Sequence, residues 1–294
     1  MARPCSRSTC TPTPCQSAPG ILSRRPSSRW HPLTAVDIWA RCADDARPGP
    51  VSGELVRLVE SQEQVATTFL VDDLDEQALL EELLERSKPP TPATCEGLHY
   101  LLSTPFRYPP LRHGSRFGSR FEPSLLYGST VVETALAEGA YYRLLFWTGM
   151  AIPPPSGRLL TQHTALRVPY SSVRGLRLQE PPFREHEAVL RDRVHYAATQ
   201  RLGTAMREAG VELFEFVSAR APGRGINVAL FRPSGLAARV PRHQQPWLCD
   251  TRADTVTFSS SAAHGPSPLG ATPRVLRFGL DQFLVDGALP RPAT

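Results

Sequence analysis

Between Leu98 and Phe231 the apolar residues change spacing repeatedly, from every second position to every third or fourth and back. A period of two turns one face of a strand into a core and a period near 3.6 does the same for a helix, so the chain has to build both elements in alternation. The spacing predicts strands at Leu125–Tyr127, Leu166–Tyr170, Val211–Val217 and Ile226–Phe231, and helices over Val131–Phe146 and Phe183–Glu208. A loop is expected over residues 241–265 and a last strand at Arg274–Phe278. An α+β fold, with a mixed sheet and flanking helices, accommodates such a series.

Composition narrows the partners. With 294 residues, 41% of them hydrophobic, the chain can bury a sizeable core. Prolines cluster in residues 1–50, which read as a flexible Pro/Ser/Arg-rich tail. That tail carries seven Arg against three Asp, or +4 of the formal +5, so the remainder is near neutral and direct nucleic-acid binding is not expected. The six cysteines form no C-x-x-C pair, and no metal site is expected. No signal-type segment and no apolar run near ~20 residues is seen, so no membrane association is expected, and a reducing cytoplasm fits. Residues 51–97 read as a helical extension. Its clearest piece is an amphipathic helix, Val71–Glu85, with Leu74, Ala78 and Leu83 on one side, Asp72 or Asp73 as N-cap and Pro89-Pro90 as stop.

The chemistry concentrates in one stretch. His113 to Phe121 is a Gly/Ser-rich loop with Arg116 and Arg120, followed by Tyr127 at the end of a short apolar run and by a helix carrying Glu133 and Glu138. Such a loop can hold a phosphate group with a carboxylate nearby. Thr130-Val-Val-Glu133 has the pattern of a capping box, which makes Glu133 structural. Glu138 shares a helical stripe with Val131, Ala135, Tyr142 and Leu145, which turns its carboxylate toward apolar neighbours, where it needs a partner. Familiar alternatives are missing: no G-x-x-x-x-G-K-[ST], no G-x-G-x-x-G and no G-x-S-x-G occurs, and His186-Glu187 lacks the second histidine of a metalloprotease helix.

In order, these motifs resemble the RES domain family, named for its Arg, Glu and Ser. Gly118-Ser-Arg120-Phe121 is similar to the family's G-G-R-[WF] loop, Leu125-Leu-Tyr127-Gly-Ser to its strand and Ala135-Leu-Ala-Glu138 to its helix glutamate. Phe216-Val-Ser218-Ala-Arg220, with Asn227 downstream, is similar to its serine segment, and Arg107-Tyr108 to an earlier Arg-Tyr pair. The resemblance places a RES domain over 98–240 and a C-terminal extension over 241–294. It implies a core similar to ADP-ribosyltransferases and a toxin that consumes NAD, cleaving the nicotinamide–ribose bond with water or inorganic phosphate. It also implies neutralisation by an Xre-type helix-turn-helix antitoxin, and it leaves room for a homo-oligomer.

On that resemblance Glu138, Arg120 and Ser218 are the catalytic candidates, and Arg107, Tyr108, Arg116, Tyr127 and Asn227 the NAD-binding ones. The chemistry is coherent. Nicotinamide in NAD is already positively charged and leaves as a neutral molecule, so no general acid is needed and one carboxylate suffices beside an oxocarbenium-like ribose. Tyr127 or Tyr108 would stack on a base, and the arginines would clamp the pyrophosphate. Two departures stand out: Ser119 replaces a loop glycine, and Glu122 puts a carboxylate beside the proposed clamp, where it would weaken NAD binding or pair with Arg116. ADP-ribose transfer to a macromolecule and a non-catalytic nucleotide-binding or interaction module are the alternatives.

Overall fold

One long strand, β3 (Leu159–Arg177), organises the sheet in the computed structural model, which describes residues 36–61, 70–260 and 274–291. Along one edge β1 (Gly49–Glu60) runs antiparallel to it, from the pair Gly49 and Gly175 to the pair Glu60 and His163. Along the other edge lies β6 (His243–Thr251), antiparallel to the first half of β3, and then β4 (Leu213–Val217), parallel to its end. β4 pairs with β5 (Ile226–Leu230), β5 with β2 (Leu126–Ser129), and β2 returns to β1 through the single pair Val56 and Ser129. Five strands therefore close into a small barrel, while β7 (Thr255–Ser260) and β8 (Arg274–Gly279) continue from β6 as an antiparallel ribbon. The closure between β1 and β2 is slight, and that is where the fold opens into a cleft.

Three apolar clusters hold the layers. Leu55, Leu126, Leu166, Val168, Leu213 and Val228 fill the barrel. α4 (Val132–Thr148) lies over the ribbon and packs Leu136, Ala140 and Leu144 with Trp247, Val256, Phe258 and Phe278. On the far side α6 (Ala197–Glu208) and α1 (Ile38–Cys42) cover Phe117, Phe214 and Phe216. Each fully buried aromatic or leucine side chain contributes roughly 1.5–3 kcal/mol by leaving water.

The α+β expectation holds, with several local corrections. Residues 49–60, assigned partly to a tail and partly to a helical extension, form a strand central to the barrel. Leu55 and Val56 are both fully buried because the strand is covered on both faces, and this hides the alternation. The expected helix over Phe183–Glu208 is broken: a 3-10 turn (Phe183–His186) and α5 (Glu187–Leu190) stop short of Asp192, whose Oδ1 accepts from the backbone N–H of Val194 and His195 before α6 starts. The supposed loop at 241–265 is β6 and β7 as far as Ser260, and residues 261–265 lie outside the described residues, as do residues 1–35 of the tail. The capping box does not form. Val131 is the N-cap residue, Thr130 bonds to the carbonyl of Ile226, and Glu133 pairs with Arg274 on β8. α2 (Leu74–Ser87) is capped by Asp73, as expected, but Leu74 and Leu83 face solvent while Gln77 turns inward. α3 (Tyr100–Arg107) leads into the Gly/Ser loop.

Candidate active site

The site is built where α4 crosses the ends of β2, β4 and β5. The register of β2 and β5 sets Ser129 opposite Asn227, and that of β4 and β5 sets Phe216 opposite Asn227, so Ser218 follows one step past the strand end. Glu138, on α4, reaches this corner. Its Oε1 accepts from Ser218 Oγ at 2.6 Å and from Asn227 Nδ2 at 2.7 Å. Both donors are themselves oriented. Ser218 Oγ accepts from the backbone N–H of Arg220 and Ala221, and Asn227 Oδ1 accepts from Ser129 Oγ at 2.7 Å. Among the described residues Oε2 carries no hydrogen bond. Two donors fix the carboxylate by one oxygen and leave the other for a ligand.

Glu138 lines a cleft of about 1060 Å³, at the upper end of small-molecule sites of roughly 300–1,000 Å³. Three of the five residues in the predicted helix stripe form its wall, while Leu145 packs against the apolar cluster and Val131 is the N-cap. Ala135, Glu138 and Tyr142 line the cleft, and the core face of α4 is the one carrying Leu136, Ala140 and Leu144. The opposite wall is the loop. Gln200 Nε2 donates to the carbonyls of His113 and Ser115, and at Gly203 a Cβ would collide with the carbonyl of Phe117, so α6 holds the loop in contact. The Tyr127 hydroxyl bonds Ser115 Oγ at 2.9 Å and accepts from the Phe117 N–H, and burial pushes its pKa up. Tyr127 thus lines the cleft and braces the loop.

The arginines sort differently from the expectation. Arg116 lines the cleft, donates to the carbonyls of Leu190 and Asp192, and lies 4.6 Å over the ring of Tyr196. Arg120 does not line it; its guanidinium packs on the exposed ring of Phe121. Arg107 is turned away toward α2, bonded to the carbonyl of Pro89 and to Glu85, and Tyr108 is partly exposed outside the cleft. Glu122 is clear of the clamp and of Arg116. Burial alone would raise its pKa, but the Ser119 N–H, the Thr204 hydroxyl and the charge of Arg207 together hold it below the usual carboxylate value.

Three cleft arginines went unassigned in the sequence: Arg57 on β1, Arg143 on α4 and Arg220 after β4. Arg220 is buried, its guanidinium 3.7 Å over Tyr141 and bonded to the Tyr196 hydroxyl. Arg57 donates to the carbonyl of Tyr127, and burial lowers its pKa to about 10, still cationic at neutral pH. Among the described residues Arg57, Arg116 and Arg220 make no ion pair, whereas Arg143 pairs with Glu60 at 3.0 Å. His163 also lines the cleft, and burial followed by the Arg143 charge pushes its pKa down to about 4, so it is neutral. Arg220 stood two residues past Ser218 and Arg143 little more than a turn past Glu138, which are usable signals. Arg57 had none.

The model of the RES domain family matches residues 91–251. The chain belongs to the RES domain family. The matched residues include β6, while β1, with Arg57, precedes them and completes the barrel. Among solved structures a chain of the M. tuberculosis MbcT–MbcA toxin–antitoxin complex aligns at 12% identity over 74% of this chain and 93% of its own, with a TM-score of 0.39. No curated protein matches the sequence. Among the described residues no helix is long and apolar enough to cross a membrane, and no group of three or more His, Cys, Asp or Glu could hold a metal.

Proposed function

We propose that this RES domain protein is a toxin enzyme that consumes NAD by breaking the bond between nicotinamide and ribose. The observation that carries the reading is a carboxylate, Glu138, fixed by Ser218 and Asn227 in a cleft whose Arg57, Arg116 and Arg220 have no carboxylate partner. Buried or half-buried cations without counter-charge favour an anionic ligand, and a pyrophosphate supplies it in bidentate form. In the reaction the C1′–N bond breaks with its electron pair going to the nicotinamide ring, which leaves neutral. Positive charge develops on the ribose and is stabilised by Glu138, while an oxygen of water, whose proton passes to Glu138 and on to solvent, or an anionic oxygen of inorganic phosphate, which has no proton to lose, forms the new bond to C1′. Arg116, expected only to support Arg120 in the clamp, takes the leading part in it. Neutralisation by an Xre-type antitoxin is part of the same reading.

The test is nicotinamide release from NAD by the purified chain, with and without phosphate. Glu138→Gln, with unchanged circular dichroism, is expected to lower the rate by about 10²-fold or more. NAD left intact by the free enzyme overturns the proposal, and label from NAD incorporated into protein or nucleic acid moves it to ADP-ribose transfer.

A further inference from the structure

The cleft has two electrical characters. Around Glu138 stand the unpaired cations Arg57, Arg116 and Arg220, whereas farther along α4 the Arg143–Glu60 pair and a neutral His163 leave no net charge. One and two turns beyond Glu138, α4 presents Tyr142 and Phe146, 57% and 55% exposed; Tyr142 is still within reach of the charges of Glu138 and Arg220, and Phe146, beside Arg143, stands in the neutral part. Large aromatic side chains are usually buried, and two of them left in water on a cleft wall stand ready for a flat apolar partner. Phe146 is also backed. The guanidinium of Arg143, a residue only 8% exposed, lies 5.3 Å from its ring centre and is fixed by Glu60 and by Thr251 Oγ1, so the ring is supported from one side. From Glu138 to Phe146 the helix rises roughly 12 Å. A dinucleotide has the same order of parts: a reacting ribose, a charged pyrophosphate and an uncharged planar base at its far end.

We propose that Tyr142 and Phe146 form the subsite for the adenine base, with Arg143 as the positioning residue behind Phe146. This rests on the dinucleotide reading of the cleft, and it moves base stacking from Tyr127, whose hydroxyl is tied to the loop, and from Tyr108, which lies outside. In such a subsite the remote base anchors the molecule so that the ribose meets Glu138.

Equilibrium binding of ADP-ribose and of nicotinamide mononucleotide tests it independently of catalysis. Phe146→Ala is expected to weaken ADP-ribose binding by roughly 5- to 100-fold, the range for one base stacked on an aromatic ring, and to leave nicotinamide mononucleotide unchanged. Phe146→Tyr is expected to restore ADP-ribose binding, and Tyr142→Ala to weaken it alone. Equal losses for both ligands, no loss for either, or no binding of ADP-ribose to the wild-type chain overturns the subsite. ADP-ribose binding that responds in this way in a chain releasing no nicotinamide overturns the cleavage reaction and leaves the subsite standing.

Discussion

The chain contains the same four residues twice in succession, Gly114-Ser-Arg-Phe117 and Gly118-Ser-Arg-Phe121, and the two copies have opposite fates. Phe117 is fully buried, 4.8 Å from the rings of Phe214 and Phe216, and Arg116 beside it reaches the cleft. Phe121 is 83% exposed, with Arg120 lying on it in solvent. Local propensity is identical, so the difference is tertiary. Gln200 and Gly203 on α6 receive the first copy, and the second only has to turn the chain toward β2, closed by the Ser119 N–H donating to Glu122 at 2.9 Å. A motif identifies a type of loop, and the neighbour that docks it decides which arginine lines the cleft.

The sharpest way to break this contrast is to truncate both rings. Phe117→Ala is expected to destabilise the fold by about 3–5 kcal/mol, as for other buried aromatics, and Phe121→Ala to change it by less than about 0.5 kcal/mol; denaturant titration separates them. Equal effects would refute the assignment. Next come the arginines. Arg116→Ala should lower kcat/KM for nicotinamide release by about 10²-fold, or roughly 2.7 kcal/mol, and Arg120→Ala by no more than about 3-fold. The reverse order would restore Arg120 as the clamp. Gly203→Ala probes the docking helix itself. Its methyl group meets the Phe117 carbonyl, so about 1–3 kcal/mol of stability is expected to be lost, with kcat/KM falling as the first copy is displaced.

How much of this was legible follows from where the information sits. Glu138, Ser218 and Asn227 could be picked out because each belongs to a short motif, and the fold brings all three together. The choice between Arg116 and Arg120 could not be made from identical tetrapeptides. Arg57 was invisible because its place depends on β1 pairing with β3, more than a hundred residues away, and because burial on both faces removed the alternation that marks a strand. Glu133 shows the converse error. A local capping pattern was present, but Arg274 on a distant strand took the carboxylate. Alternation was present in β6, where Trp247, Cys249 and Thr251 are buried, yet Gln244-Gln-Pro246 gave it the look of a loop.

The smallest expected effect concerns the closure of the second copy. Glu122 has a carboxyl held below its ordinary value, since the Ser119 N–H, the Thr204 hydroxyl and Arg207 outweigh the opposing effect of burial. A depressed carboxyl pKa in the folded state adds stability that is fully present above the unfolded value near 4.3 and disappears as the pH falls through the folded one. Glu122→Gln removes the charge and keeps an acceptor for Ser119. It is therefore expected to cost about 1 kcal/mol at pH 7, to cost nothing below the folded-state pKa, and to leave kcat/KM within about 2-fold because Glu122 does not line the cleft. A stability difference independent of pH would show that Glu122 acts by shape and not by charge. A large change in kcat/KM would tie the second copy to the site, and the contrast between Arg116 and Arg120 would then be one of degree.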